Sequence, residues 1–446
     1  MRIVIIGAGE VGYHLAKQLS FENHDVSIVE RDPERHTRVV ESLDVHATFG
    51  TATSYSILEQ AGIKDADLLV AATTNDEVNM LVAMMAKQYG VERTIARIKN
   101  MEFLHPHAPI NAEKLGVDLF VHPESESAEA TIRLLKQSAA TDVVEFENGR
   151  ISLIGVQIGQ DCPVLFKKLM DLPNNDENLQ VRVVAILRKD ITRIPTGQDS
   201  FQPNDRIFLM TTKESAPGVL NVLGKANERM ENVMILGGGQ IGYLIAQELQ
   251  KSHNVKLIES DADKSAKLAE GLSKSLVIRG DGRDLNLLAQ EGIIDMDAFI
   301  AATGDDETNI ITCLMARHLR VPRIISLTNK TDYMPILPTI GINAYISKQM
   351  ITVSRILKFI RRGEILSVVS MPGVAAEAIE LVAQPHSKIT KKPLMKLNVP
   401  KNSILGAVLR DEKVFIPVGT SQIEPGDKVF VFALPSAVKE VEKMFS

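Results

Sequence analysis

Short apolar runs rich in Ile and Val alternate along the chain with stretches whose apolar residues recur at i, i+3 and i+4. The runs have the length of buried parallel strands and the stretches the period of amphipathic helices. Such alternation predicts a doubly wound α/β unit. Over the first 123 residues the predicted strands are Ile3–Gly7, Val26–Glu30, His46–Gly50, Asp67–Thr73, Thr94–Lys99 and Asp118–Pro123. Helices lie between them, the first with Val11, Leu15, Ala16 and Leu19 on one face and a later one over Glu77–Tyr89.

From Val143 the period changes to two, in VVEFENGRISLIGVQI, VRVVAILRKD and DRIFLMTT, with turn residues Asn148-Gly149 and Pro203-Asn204-Asp205 between the runs. This predicts a small, largely antiparallel domain, reached through an amphipathic outward helix over Ser125–Gln137 and followed by a polar linker with some helix over Lys213–Glu231. The second half repeats the order: a doubly wound unit, an outward helix over Met350–Gly363, and a second β module whose IEPGD turn (Ile423–Asp427) parallels FQPND (Phe201–Asp205). The expected fold class is α/β, with domains over 1–123, 140–217, 232–348 and 368–446.

The first strand breaks into Gly7-Ala8-Gly9-Glu10-Val11-Gly12, and the equivalent run of the second half into Gly237-Gly238-Gly239-Gln240-Ile241-Gly242. The offset is 230 at each glycine (237 − 7, 239 − 9, 242 − 12). Glycines at this spacing allow a tight turn, close approach to a pyrophosphate and tight helix–strand packing, with the helix amides facing the anion. Glu30 follows Gly12 by 18 residues (30 − 12) and Glu259 follows Gly242 by 17 (259 − 242). A carboxylate there accepts from both ribose hydroxyls and repels a 2′-phosphate, which leaves NADH and adenine nucleotides. The register continues in DADLLVAATTNDEVNM (Asp65–Met80) and DMDAFIAATGDDETNI (Asp295–Ile310), so the chain reads as a tandem duplication.

A net charge of −6 argues against nucleic-acid binding, and two cysteines, Cys162 and Cys313, against a disulfide framework, which points to a reducing cytosol. No segment has the apolar length of a membrane helix, and the glycine-interrupted start is not a signal peptide. Short β modules poor in His offer no acid–base pair for hydride transfer, and neither a nucleophile elbow nor a metalloprotease motif occurs.

Other candidates sit at predicted strand ends: Thr73 and Thr74 with counterparts Thr303 and Gly304, and Gly50-Thr51 with counterpart Gly280-Asp281. The Thr pair suits either nucleotide contact or helix capping. Arg97 suits a phosphate contact or a surface ion pair, and Ser326 is read as its counterpart, so the two sites should differ in charge. Met80, Met84 and Met85 read as core filler, His105 and His107 as loop histidines. Arg355, Lys358, Arg361 and Arg362 read as a solvated basic face, as do Lys388, Lys391, Lys392 and Lys396.

The tandem GAGEVG and GGGQIG loops, the paired DADLLVAATTNDEVNM and DMDAFIAATGDDETNI segments and the P-x-D turns resemble the TrkA family over the whole chain. These are the peripheral RCK (KTN) nucleotide-binding subunits of bacterial Trk potassium-uptake systems. The resemblance implies two Rossmann-like RCK-N domains, each followed by a small α+β RCK-C domain, in a non-catalytic cytoplasmic subunit. It further implies docking on a Trk-type potassium channel membrane subunit, a homo-oligomeric ring of four chains, and binding of NAD or NADH and of ATP or ADP. Gly7, Ala8, Gly9, Glu10, Val11, Gly12, Glu30, Asp32, Gly50, Thr51, Thr73, Thr74 and Arg97 would line the first site. Gly237, Gly238, Gly239, Gln240, Ile241, Gly242, Glu259, Asp281 and Thr303 would line the second. Rival readings are an NAD-dependent oxidoreductase with a β-rich substrate domain and a redox-sensing DNA-binding regulator.

Overall fold

The computed structural model describes the chain apart from residues 23, 106, 138, 173–178, 190, 226–229, 343, 361–364 and 372–373. Among the strands, β1 (Arg2–Ile6), β2 (Asp25–Glu30), β3 (His46–Phe49), β4 (Leu68–Ala71), β5 (Arg93–Arg97) and β6 (Leu119–Val121) form one sheet in the order β3-β2-β1-β4-β5-β6. Every pairing in it is parallel. Residues Ile3 to Ile6 are at most 2% exposed, because helices cover both faces and leave no solvent side on which a polar residue would alternate. The strand order reverses between β1 and β4, which opens a crevice at their carboxyl ends.

Next, β7 (Asp142–Phe146), β8 (Ile151–Gln157), β9 (Val181–Arg188), β10 (Ile191–Arg193) and β11 (Arg206–Thr212) form an antiparallel sheet ordered β10-β9-β11-β8-β7. The helix expected within the linker stretch is Ala216–Val222, and its Ala216, Val219 and Leu220 are buried in this domain's core, so this part belongs to the domain.

The second half repeats both sheets. β12 (Asn232–Leu236), β13 (Asn254–Glu259), β14 (Leu276–Arg279), β15 (Ala298–Ala301), β16 (Arg323–Leu327) and β17 (Tyr345–Ile346) are ordered β14-β13-β12-β15-β16-β17. β18 (Ile365–Ser370), β19 (Glu377–Val382), β20 (Ser403–Arg410), β21 (Lys413–Phe415) and β22 (Lys428–Ala433) are ordered β18-β19-β22-β20-β21, the second sheet's topology again. The P-x-D turns place a buried carboxylate against an arginine in both small domains: Arg188 meets Asp205 at 2.8 and 2.7 Å, and Arg410 meets Asp427 at 2.8 and 2.7 Å. Such bidentate pairs tie the turn to the neighbouring strand.

By contacts the chain divides into two compact units: Met1–Ser127 with Lys348–Ile356, and Ala128–Ser347 with Leu357–Ser446. In the first, the helix Lys348–Ile360, which follows the second parallel sheet in sequence, contributes Lys348 and Arg355 to ion pairs with Glu124 (3.6 Å) and Glu126 (3.2 Å). Arg355 is therefore paired rather than part of a free basic face; the Lys358 side chain and Arg361–Arg362 fall outside the described residues.

In the second unit the two small sheets share one core, with Phe146, Phe208 and Met210 against Ala378, Phe430 and Phe432. The Phe146 and Phe430 rings lie 5.2 Å apart, and Lys428 reaches Glu147 at 2.7 Å across the seam. The second parallel sheet joins this assembly through Arg323, which is buried and donates to the carbonyls of Leu134 (3.0 Å) and Ala140 (2.6 Å).

Candidate functional site

The three glycines of each loop meet three different demands. Gly7 and Gly237 adopt φ of +95° and +102°, a left-handed turn that also brings the backbone against the strand-end residue Thr73 or Ala302. A Cβ on Gly12 or Gly242 would lie 1.9 Å from the carbonyl oxygen of Gly7 or Gly237, so these positions let the helix close on its own strand. The middle glycines are different. A Cβ on Gly239 would meet nothing within 4 Å, and one on Gly9 only the Arg35 guanidinium at 3.9 Å. The fold makes no use of the missing side chain there, whereas a pyrophosphate approaching the loop would.

The remaining loop residues divide by direction. Val11 is buried in the core and Ile241 half-buried, so they seat the helix, while Glu10 points outward and pairs with Arg38 at 3.0 Å. Ala8 is 2% exposed; at the corresponding Gly238 a Cβ would stand 2.2 Å from Leu268. Val39 occupies the Leu268 position in the first half, so the smaller loop residue goes with the larger packing partner.

Glu30 is only 6% exposed, and its carboxylate is held by backbone: Ala8 N–H donates to Oε2 at 2.5 Å, and Arg31 and Asp32 N–H donate to Oε1 at 2.8 and 2.9 Å. Glu259 repeats this with Gly238 N–H on Oε2 at 2.9 Å, and with Asp261 N–H (2.9 Å) and the Ser260 hydroxyl (3.3 Å) on Oε1. A carboxylate offers about four acceptor positions, so three amides leave about one, on the loop-side oxygen, for a ribose hydroxyl. That is one hydroxyl rather than the expected two. Replacing Glu30 by Ala should weaken NADH at the first site about tenfold to a hundredfold, the worth of a charge-assisted hydrogen bond. Calorimetric titration reads this, and unchanged affinity would remove Glu30 from the site.

Several neighbours take other roles. Asp32 caps the helix Pro33–Ser42 by accepting from Glu34 and Arg35 N–H, both at 3.0 Å, as Asp261 does for its own helix. Asp281 forms a bidentate pair with Arg283, whose hydrogen bonds bring its carboxyl down to about 2. Gly50 joins β2 through its N–H to the Glu30 carbonyl (2.9 Å), and Thr51, exposed beside it, lies 3.3 Å from the Thr53 hydroxyl. Thr73 is neither an open hydroxyl nor a cap. Its N–H and hydroxyl both donate to Asn79 Oδ1, at 3.0 and 2.6 Å, and the helix is capped by Asn75. Thr303 repeats the arrangement with Asn309 (2.9 and 2.7 Å), with Asp305 as cap. Thr74 and Gly304 remain exposed at the crevice.

Asn79 and Asn309 are the organising residues that the sequence reading passed over. Both are fully buried, and each also donates from Nδ2 across the crevice: Asn79 to the carbonyls of Thr73 (3.0 Å) and Arg97 (2.8 Å), Asn309 to those of Thr303 (3.2 Å) and Leu327 (3.0 Å). The signal was present as a polar residue on the buried face of the helix in both halves, NDEVN and DDETN. These bonds also fix the register. Leu327, not Ser326, is the counterpart of Arg97, and Leu327 is buried. The half-buried Arg97 has no ion-pair partner among the described residues, so the first crevice keeps a cation at β5 where the second has an aliphatic side chain. Among the described residues no group of His, Cys, Asp and Glu is placed to hold a metal ion.

The TrkA-N domain model matches residues 3–123 and 233–348, and the TrkA-C domain model residues 153–224 and 378–446. A Trk system potassium uptake protein TrkA from Azorhizobium caulinodans is 34% identical over 451 residues, covering 100% of this chain and 98% of that protein. A TrkA homologue from Methanosarcina mazei is 35% identical, with 100% of both chains covered. Among solved structures, the GsuK channel bound to NAD superposes with a TM-score of 0.62 at 17% identity, covering 100% of this chain and 78% of that one. The duplicated loop, the carboxylate behind it and these full-length matches agree: the chain belongs to the TrkA family, with TrkA-N and TrkA-C domains in alternation.

Proposed function

We propose that this chain is the cytoplasmic nucleotide-binding regulatory subunit of a Trk-type potassium uptake system, without catalysis of its own. It binds NAD or NADH and ATP or ADP and gates a membrane channel subunit to which it docks on the inner face of the cell membrane. The observation that carries this is the middle glycine of each loop, open to approach and backed by an amide-held carboxylate, in a chain whose full-length relatives are named for potassium uptake. Among the described residues no helix is long and apolar enough to cross a membrane, which suits attachment through a partner. The proposed domains are 1–123, 140–217, 232–348 and 368–446.

A homo-oligomeric ring, a tetramer by the family's pattern, accounts for an apolar helix face in the first unit. On helix Asp76–Gln88, Leu81 and Met84 are 46% and 39% exposed, so Met84 is not the core filler expected of it, although Met85 is buried. Ile311 on the equivalent helix of the second half is 52% exposed. Apolar side chains repeated at one helical position and left in water favour burial against a neighbour.

A ligand gates only through unequal affinity for two states. Co-purification with the Trk membrane subunit, with NADH, ATP, ADP or no nucleotide added, should show retention that changes with nucleotide. No association under any condition would reject the regulatory reading and redirect attention to an NAD-dependent oxidoreductase.

A further inference from the structure

The two halves are not equal where the glycine-loop helix meets the helix after the second strand. In the first half that junction is filled by side chains. Arg38 reaches Glu10 at 3.0 Å and lies 4.1 Å from the Tyr13 ring centroid, while the Tyr13 hydroxyl meets Ser42 Oγ at 2.8 Å. Charge is balanced inside the contact.

In the second half each of these residues except the tyrosine is replaced. Gln240 stands for Glu10, Lys267 for Arg38, Lys264 for Arg35 and Gly271 for Ser42. Tyr243 turns its hydroxyl to accept from Gln247 of its own helix at 3.2 Å. Removing the carboxylate and shortening Ser42 to glycine opens a groove of about 290 Å³ that begins at Gly238 and Gly239 and is bordered by both lysines. Lys264 and Lys267 are exposed and have no side-chain ion pair among the described residues. Of the carboxylates nearby, Glu259 accepts from Gly238 N–H at 2.9 Å, and Asp261 accepts from Lys264 N–H at 2.8 Å and is held below the usual carboxylate range by that bond and by the charges of Lys264 and Lys267.

We infer that this groove is a phosphate subsite, so that the second nucleotide site selects a nucleoside di- or triphosphate whose phosphate chain leaves the glycine loop between Lys264 and Lys267. In the first half Arg38 is taken up by Glu10, so that site lacks this subsite and is left to the dinucleotide. The inference rests on the nucleotide-binding reading above. It follows from charge and room together: two cations beside a loop whose amides suit an anion, and an open groove between them.

The test is calorimetric titration of the full chain with ATP, AMP and NADH, using wild type, the double variant Lys264→Gln/Lys267→Gln, and Gln240→Glu. In the wild type ATP should exceed AMP by about tenfold or more at one of two sites, the worth of one or two charge-assisted contacts. The lysine variant should lose that preference while AMP and NADH affinities stay as they were. Gln240→Glu should reproduce the loss by giving Lys267 an internal partner. An ATP preference that survives in the lysine variant overturns the subsite but leaves nucleotide binding standing. Absence of binding by every nucleotide to the wild type overturns both.

Discussion

Gly12→Ala is expected to prevent the first unit from reaching its native fold, whereas Gly9→Ala, three residues earlier, should fold normally and bind nucleotide poorly. At Gly12 the added methyl would stand 1.9 Å from the Gly7 carbonyl oxygen, which is backbone and has no rotamer through which to yield. The helix must lift off its strand, and the strain is expected to reach about 3 kcal/mol or more, a large fraction of a typical domain's stability. At Gly9 the backbone is at φ −63°, open to any residue, and the nearest heavy atom to the new methyl is 3.9 Å away. Stability should therefore change by no more than about 0.5 kcal/mol. Urea denaturation followed by circular dichroism separates the two variants, and titration with NADH completes the comparison. If Gly9→Ala bound NADH as tightly as the wild type, the open space above the loop would not be ligand space.

Replacing Asn79 with the similarly sized Leu should be nearly as severe, for an electrostatic reason rather than a steric one. The amide makes four hydrogen bonds, accepting from Thr73 N–H and hydroxyl and donating to the carbonyls of Thr73 and Arg97. Leucine fills the volume but leaves backbone groups at the ends of β4 and β5 without partners, at about 1–3 kcal/mol for each one that water cannot reach. A total near 3 kcal/mol is expected, together with weaker nucleotide binding at the first site and an unaltered second site. Asn309→Leu should invert that pattern. Hydrogen exchange at the Thr73 amide gives the direct readout, and protection unchanged from wild type would refute the stapling role.

Much of this architecture was legible because it is written in local patterns. Strand β1 and the helix after it are announced by an apolar run, three glycines and a helical period within twenty residues, and the 230-residue offset shows the unit twice. Glu30 and Glu259 were found by spacing alone, since the turn from the second strand places the carboxylate behind the loop whatever surrounds it. The partner of Thr73 was not legible for the opposite reason. Its hydroxyl has several acceptors within reach, and only the packing of helix Asp76–Gln88 decides that Asn79 takes it. For the Arg97 counterpart the 230-residue offset of the glycines points to Leu327 (327 − 97), one residue past the Ser326 that was read. Met84 is exposed because the helix shows two apolar stripes, and one stripe suffices to seat it.

By itself, then, the sequence determined the alternation of parallel and antiparallel sheets, their duplication, the glycine loops and the carboxylates behind them. These depend on residues close along the chain, where backbone geometry leaves few outcomes. The tertiary structure decided that helix Lys348–Ile360 lends its first turns to the first compact unit, and that the two small sheets share one core. It also decided that Arg38 reaches Glu10 between two helices in the first half, while a groove lies beside the corresponding Gln240 in the second. Each of these depends on which surfaces meet across hundreds of residues, and apolar area and charge act on whatever lies nearest in space, not in sequence.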